Sequence, residues 1–460
     1  MSEIRLDASD DSPGDSAVFT QEQISCLENE ALLLPHPQSS RKRKVSAAFT
    51  PPGSRYDSSS SITPTASITT RCYQPDVIQT FDVPMADESA EVLECVGFVP
   101  ETATAIYNRY CSRPDPAQNP DDLMAYACGH LAALQLPAYE GITGQQALAK
   151  IGLNTQVQNG ITDPRYHSVF GTETLHHWAR DTVLTNYAAL LGKQSLLGRY
   201  ANEHMVPKKS RKSAHSVVSG QEQATSQQPA PAIATIDKTP QDFQFPESHV
   251  KFQQNVILLP DHISLFKGKA HLELPGTELI DDDGSVNIRA LSSPAGGDFN
   301  WAFYAQYWTP EREIAEKYRQ YAARRSPSAE TCVVHIQIPS SVLSTLRIEG
   351  LRFSHDWKEY IWSSRKRRRP KERFDGLWQR AELVKGHICS SLNNQVIRIP
   401  PDQVQARLNE DCVMRLSNGR KATQWMFLQD RTMDRLAEMV RGKMHFDIFE
   451  AGSYSALESV

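Results

Sequence analysis

The sequence predicts an α+β protein in which a C-terminal mixed-sheet module follows a small all-α helical domain and disordered segments. Two stretches have low-complexity composition, the region between them shows helical spacing of apolar residues, and the C-terminal region mixes short apolar strands with helices. These observations divide the chain into a disordered tail at 1–75, a helical domain at 76–202, a flexible linker at 203–246, an α+β module at 247–450 and a tail at 451–460.

The composition bounds the size and the charge of the protein. A chain of 460 residues, 40% of them hydrophobic, is long enough for two or three domains with at least one sizeable core. Its 49 basic and 54 acidic residues give a formal charge of -5, so any binding of nucleic acid would have to be local. The sequence shows neither a secretory signal nor an apolar run of membrane-spanning length, and we expect no membrane partner.

The predicted tail and linker each carry a compact basic cluster. Both segments are rich in small polar residues or proline and cannot bury enough apolar surface to offset the entropy of ordering. The tail contains Arg-Lys-Arg-Lys at 41–44, and the linker contains Lys-Lys-Ser-Arg-Lys at 208–212. Two such clusters are typical of nuclear-import signals and predict a nuclear or nucleocytoplasmic location. The alternative is that they are solvated charges that no import receptor binds.

The helical domain is predicted to begin with three short helices between residues 88 and 135. Apolar residues recur at helical spacing around Val96 and Ile106, a Gly-Phe turn ends the first helix, and Pro100 opens the second. This order loosely resembles a ubiquitin-associated domain, and the resemblance implies a protein partner bound through the helical domain. A longer helix is expected from Thr172 to Tyr200.

The α+β module is predicted from strands and helices in uneven order. Strands are expected at 256–259, 263–266, 331–338, 396–399 and 445–449, and helices at 310–324, 402–408 and 430–441. The first helix has Thr309 as N-cap, Pro310 in its first turn, and Glu311 and Glu313 near its positive end. Strands outnumber helices and do not alternate with them, which favours a mixed sheet over a doubly wound one.

Several strings of the module carry a family likeness. Asp-Phe-Asn-Trp-Ala-Phe-Tyr at 298–304, followed by Trp-Thr-Pro at 308–310 and a helix carrying Ala315, resembles the middle motif of ADP-ribosyltransferase-fold proteins. Upstream, Ile-Ser-Leu-Phe-Lys-Gly at 263–268 resembles the first strand of that family. Downstream, the Trp-containing block around residues 357–365 and the apolar string at 382–388 resemble segments of less-characterised fungal and microbial relatives. The resemblance covers roughly residues 255–400.

The resemblance implies NAD as substrate and three functional positions. The family's chemistry removes nicotinamide from NAD, which needs a cation for the phosphate end, an aromatic face for nicotinamide and a carboxylate near the ribose. Carried over by motif, Lys267 with Gly268 takes the first position, Tyr304 the second and Glu359 the third. Lys267 replaces the family's Arg or His, and Trp357 stands where an acidic residue or Gln often precedes the carboxylate.

Each candidate also has a structural interpretation. Lys267 could be a surface lysine at a strand end, Tyr304 a core aromatic, and Glu359 part of an exposed helical turn. No CxxC pair or other ligand spacing predicts a metal site.

A dense basic run follows the Trp-containing block. Residues 365–373 carry seven positive charges against one negative charge, and such a run can neutralise several phosphates. Its nucleic-acid or import candidates are Arg365, Lys366, Arg367, Arg368 and Arg369. A solvated loop is the simpler alternative.

These observations leave two main hypotheses about function. The first is an ADP-ribosyltransferase-like protein that binds NAD and cleaves or transfers ADP-ribose. The second is a catalytically inactive nuclear adaptor that uses the fold and the basic run to bind protein or nucleic acid. The sequence contains no P-loop, GxGxxG, HExxH or GxSxG motif, so it does not support the chemistries that depend on those motifs.

Overall fold

The structure is a computed structural model that describes residues 17–46, 67–73, 80–114, 120–136, 138, 141–205, 249–270, 279–281 and 283–452. Its strands are β1 (Leu34–Pro35), β2 (Lys42–Ser46), β3 (Ile68–Tyr73), β4 (Thr80–Pro84), β5 (Val250–Phe252), β6 (His262–Ala270), β7 (Gln306–Trp308), β8 (Thr331–Pro339), β9 (Ile348–Leu351), β10 (Leu383–His387), β11 (Thr423–Phe427) and β12 (Met444–Phe449). Its helices are α1 (Gln21–Asn29), α2 (Ala90–Val96), α3 (Pro100–Cys111), α4 (Leu123–Leu131), α5 (Gly144–Lys150), α6 (Thr155–Ile161), α7 (His167–Phe170), α8 (Leu175–Met205), α9 (Arg312–Arg325), α10 (Ser340–Leu343), α11 (His355–Arg365), α12 (Asn393–Arg398), α13 (Val404–Arg407) and α14 (Asp430–Val440). Most of the predicted linker and of the C-terminal tail lies outside the described residues.

A five-stranded mixed sheet in the order β5-β3-β12-β8-β6 forms one half of the C-terminal module. β3 lies inside this sheet and pairs in parallel with both β5 and β12, so that Ile68 stands opposite Met444. Ile68 and Thr70 are buried, as alternation along a strand requires. The structure therefore differs from the expected disordered tail at residues 68–73, where an alternating pattern with β-branched residues builds a strand.

A second, four-stranded sheet has the order β7-β11-β10-β9 and meets the first sheet where β6 approaches β7. Reciprocal backbone hydrogen bonds of 2.7 and 2.9 Å join Phe266 and Thr309 at this corner. Leu265 and Phe427, one from each sheet, belong to a shared apolar cluster that Leu436 of α14 also joins. The predicted mixed α+β architecture is confirmed.

The close approach of α9 to β6 depends on a glycine. A Cβ at Gly268 would stand 1.7 Å from the carbonyl oxygen of Ala315, so no larger residue fits without moving the helix. Glycine at this place therefore lets the two backbones touch. The packing of α9 positions Lys267, the preceding residue, between the helix and the second sheet.

The helical domain packs directly on the module. The three predicted helices are confirmed as α2, α3 and α4, and their apolar faces share one core with α8 and with Tyr321 of α9. The Tyr321 hydroxyl donates a 2.7 Å hydrogen bond to the carbonyl oxygen of Ile161, and the guanidinium of Arg324 binds Asp163 at 2.8 Å. The helical domain is thus joined to the module by a buried interface, in addition to the chain connection.

The first basic cluster lies in a small sheet with the order β1-β2-β4. All four side chains of this tetrad have acidic partners, which are Glu91 for Arg41, Glu94 for Lys42, Glu28 for Arg43 and Asp82 for Lys44. The structure therefore differs here from the expected solvated segment, because folding neutralises the cluster. The second cluster, at 208–212, lies outside the described residues.

Two predicted strands are wrong. Residues 256–259 have no regular structure, and Ile257 and Leu258 are 67% and 70% exposed. Residues 396–399 fall at the end of α12. The family-like string at 298–304 forms a loop before the short β7. Short apolar or aromatic runs do not distinguish a strand from a helix end or a packed loop. No helix in the described ranges is both long and apolar enough to cross a bilayer.

A fragment of residues 245–455 is expected not to fold cooperatively, because it lacks β3 and the α8 face on which α9 packs. Urea unfolding followed by circular dichroism compares this fragment with the full chain. A cooperative transition of the fragment at the same midpoint as that of the full chain would show that neither element is needed.

Candidate functional site

A cavity of about 460 Å³ lies between α8, β6, α9 and the second sheet. Its wall includes residues of the helical domain, such as Glu173 and Trp178, and residues of the module, such as Lys267, Tyr318 and Gln424. Ligand sites are concave, partly apolar and lined by a few convergent polar groups, and this cavity has those properties. It is the candidate site.

Lys267 is one cationic group of the cavity. It lies on β6, and its Nζ is 3.3 Å from the backbone carbonyl oxygen of Tyr307, to which it donates. Burial, together with the neighbouring charge of Lys269, lowers the pKa of Lys267 to about 7. The amine is therefore close to half protonated at neutral pH and would gain a proton when an anion binds beside it.

Asp298 organises the opposite side of the cavity. Its Oδ1 accepts from Arg365 Nε at 2.9 Å, and its Oδ2 accepts from the backbone N–H of Cys389 at 2.9 Å and from Gln424 Nε2 at 2.7 Å. Arg365 is fully buried and donates also to the carbonyl oxygens of Cys389 and Gly171. Both oxygens of the Asp298 carboxylate are thus occupied by donors, and they fix the side-chain amide of Gln424 with its nitrogen toward Asp298.

The aromatic groups of the cavity come from α9 and β7. Tyr318 lines it from the helix, and Tyr307 and Trp308 line it from the strand. The Tyr307 hydroxyl donates to Asn300 Oδ1 at 3.0 Å and accepts from the backbone of Phe299 at 2.7 Å. Burial raises the pKa of Tyr307 and Tyr318 well above the ordinary value, so both stay neutral donors at any physiological pH.

Helix α8 supplies acidic side chains to the same cavity. Glu173 stands just before the helix, and His177 and Asp181 follow at intervals of four residues, which places them on one face. Asp181 binds Arg325 at 2.7 Å. Burial raises the pKa of Glu173. The sequence predicts a helix here but gives no sign of a ligand role for these residues, because their partners are far away in the chain.

Tyr304 lies outside the cavity. Its side chain is 73% exposed and lines a separate groove of about 550 Å³, together with Phe303, Trp378 and Met433. The groove contains none of the cavity's acidic or lysine residues.

Glu359 lines neither the cavity nor the groove. It lies on α11, where Lys371 Nζ approaches its carboxylate at 2.7 Å and Arg373 forms a second ion pair with it. The same helix buries Trp357, whose indole nitrogen donates to the carbonyl oxygen of His387 at 3.0 Å. The structure therefore does not bring Lys267, Tyr304 and Glu359 together, and it assigns Glu359 a structural ion pair.

The basic run divides into buried and exposed members. Arg365 is buried against Asp298 and is not available to a polyanion. Lys366 and Arg369 lie over the rings of Trp362 and Trp378, at 4.4 and 5.3 Å from the ring centroids. Arg367 and Arg368 are exposed and form no ion pair within the described part of the chain.

The sequence did not reveal the roles of two cavity residues, Asp298 and Gln424. Asp298 was part of the family-like motif, and the Asp-Phe string gave no indication of its buried arginine partner. Gln424 was missed because β11 was not predicted. The β-branched, aromatic and apolar residues of the Thr-Gln-Trp-Met-Phe string, four of whose five residues are buried, are the signal that could have identified that strand.

The described residues contain no group of three His, Cys, Asp or Glu side chains placed to hold a metal ion. Comparison with protein-family models, with curated proteins and with solved structures finds no match to the chain.

Replacement of Arg365 by Met is expected to destabilise the fold by about 3–5 kcal/mol, because it leaves the buried Asp298 carboxylate without its counter-ion. Arg368→Met, on the exposed part of the same run, is the control and should change stability by less than about 0.5 kcal/mol. Chemical denaturation measures both, and equal effects would contradict the assigned role of Arg365.

Proposed function

We propose that this chain is an ADP-ribosyltransferase-like protein that binds NAD in the cavity between α8, β6 and α9. One observation supports the proposal above others. Two segments that resemble family motifs, Lys267-Gly268 on β6 and the helix after Trp-Thr-Pro, pack against each other and both line one cavity.

The cavity has suitable groups for the anionic part of the ligand. Lys267 and Lys269 line it from β6, and Arg325 lines it from α9. Asp181 binds Arg325 and also interacts electrostatically with Lys269. The part of the cavity that these cations line is therefore not purely cationic. A pyrophosphate would raise the pKa of Lys267 and gain a charge-assisted contact.

Aromatic and carboxylate roles would pass to residues other than those predicted. Tyr318 would replace Tyr304 as the aromatic face, because it lies in the cavity with Lys267. Glu359 would take no part, and Asp298 could not serve as a base while its oxygens hold Arg365, Cys389 and Gln424. We therefore favour NAD binding with little or no turnover over an active enzyme.

The first test is NAD binding by the full chain, measured by isothermal titration calorimetry. Lys267→Met should weaken binding by roughly ten- to a hundredfold, because a charge-assisted contact contributes about 1.5–3 kcal/mol. Lys385→Met is the matched control, since Lys385 lies on β10 over the Trp425 ring and outside the cavity. Absence of binding by the unaltered chain, or equal loss in the two variants, would contradict the proposal.

Turnover separates the two forms of the hypothesis. We expect the full chain to release no nicotinamide from NAD, or to release it at a rate that Glu359→Gln does not change. The reason is that Glu359 is held by Lys371 and Arg373. Release that collapses in Glu359→Gln would restore the enzymatic hypothesis with its predicted carboxylate.

The affinity for NAD should depend on pH through Lys267. Its pKa in the unliganded chain is about 7, and a bound phosphate raises that pKa, so binding takes up a proton. The affinity should therefore be highest below pH 7 and fall by about tenfold per pH unit as pH rises above 7. Titration calorimetry between pH 6 and 9 checks this, and a pH-independent Kd would show that Lys267 does not meet the anion.

An adaptor role in the nucleus is the second candidate. The exposed Arg367 and Arg368 favour contact with an acidic partner, and nucleic acid is one such partner. A protein partner bound through α2–α4 would have to use their outer faces, because their inner faces pack on α8. This candidate would be supported if the chain bound an oligonucleotide, if that binding weakened as the salt concentration rises, and if it were lost when both arginines are replaced by alanine.

A further inference from the structure

A lysine that forms no ion pair with a carboxylate lines the cavity. Lys267 lies on β6, and its Nζ donates to the backbone carbonyl oxygen of Tyr307 at 3.3 Å. Among the described residues, no carboxylate forms an ion pair with this amine, and the neighbouring charge that acts on it is the like charge of Lys269. The side chain keeps partial exposure, so a small molecule in the cavity can reach it.

The surroundings of Lys267 favour its neutral, nucleophilic form. Burial and the charge of Lys269 lower the pKa of Lys267 to about 7. At pH 7.5 about three-quarters of such amines are neutral, compared with about 0.1% of lysines of ordinary pKa. Proteins activate a lysine for imine formation by desolvating it or by placing a second cation beside it. Both conditions hold at Lys267.

A buried hydrogen-bond donor lies close to the same amine. Trp308 lines the cavity and is 2% exposed, and its indole N–H has no hydrogen-bond partner among the described residues. Lys267 Nζ contacts the peptide bond that joins Tyr307 to Trp308, so both side chains belong to one part of the wall. A carbonyl oxygen that accepted from the indole would offset the free-energy cost of the unpaired donor, and its carbon would become more electrophilic.

We infer that the cavity binds a small aldehyde or ketone, that Lys267 forms an imine with it, and that Trp308 donates to its carbonyl oxygen. The nitrogen lone pair forms the C–N bond while the carbonyl π electrons move to oxygen. That oxygen takes one proton from the nitrogen and one from solvent, and leaves as water. One amine, one carbonyl compound and one proton thus give one protonated imine and one water, without an oxidant or a reductant. This activity goes beyond the proposed NAD binding and does not depend on it.

The first measurement treats the full chain with propionaldehyde and sodium cyanoborohydride at pH 7.5. Hydride transfer to the imine carbon makes the adduct permanent, and peptide mass spectrometry at early times gives the alkylation rate of each lysine. We expect Lys267 to react at least about tenfold faster than Lys251, an exposed lysine on β5, and faster than Lys269. A rate no higher than that of Lys251, or a label that favours Lys269, would overturn the inference.

A pair of tryptophan variants tests the donor. Trp308→Phe keeps an aromatic ring and removes the N–H, and it should slow the alkylation of Lys267 by about tenfold, as the loss of one hydrogen bond allows. Trp378→Phe is the matched control, because Trp378 also has an unpaired indole N–H within the described residues but lines the separate groove. Equal rates in the two variants would overturn the role of Trp308.

The outcomes separate this inference from the proposed function. Selective alkylation of Lys267 in a chain that does not bind NAD would support the inference and overturn the proposed function. NAD binding together with unselective alkylation would do the reverse. Because the first measurement uses the unaltered chain, the inference stays falsifiable even if Trp308→Phe fails to fold.

Discussion

The buried pair of Asp298 and Arg365 is the interaction on which the cavity depends. It joins α11 to the loop before β7, to the segment after β10 through the backbone of Cys389, and to the helical domain through the carbonyl oxygen of Gly171. Gly171 itself abuts the backbone of Ser390 so closely that a Cβ would stand 2.1 Å from the Ser390 carbonyl oxygen. One ion pair therefore fixes the relative positions of three walls.

The fold could be predicted from the sequence wherever periodicity and caps were strong. α3 starts at Pro100, β8 appears at the predicted place, and α14 matches its amphipathic pattern. β3 could not be assigned, because its partners are more than 170 residues away and it lies within a polar, low-complexity context. Strand pairing at such distance is decided by tertiary packing, which local patterns do not contain.

The candidate site was predicted only in part, for the same physical reason. Lys267 and Gly268 were chosen because the string at 263–268 resembles the first strand of the family, and both line the cavity. Tyr304 and Glu359 were chosen by motif order, yet one faces an exterior groove and the other is held by Lys371 and Arg373. Arg365 was predicted to bind nucleic acid or an import receptor because it lies in a run of basic residues. Such a run gives no sign that one of its members is buried against Asp298.

Because β3 lies inside the five-stranded sheet, the order in which the chain is synthesised constrains the order in which the sheet can form. A ribosome makes residues 68–73 long before residues 444–449, yet β12 must insert between β3 and β8 to complete the sheet. The edge of β3 that pairs with β12 therefore stays unpaired until residues 444–449 have emerged. Contacts of such long sequence separation also slow folding. A nascent chain therefore exposes that strand edge until β12 is made.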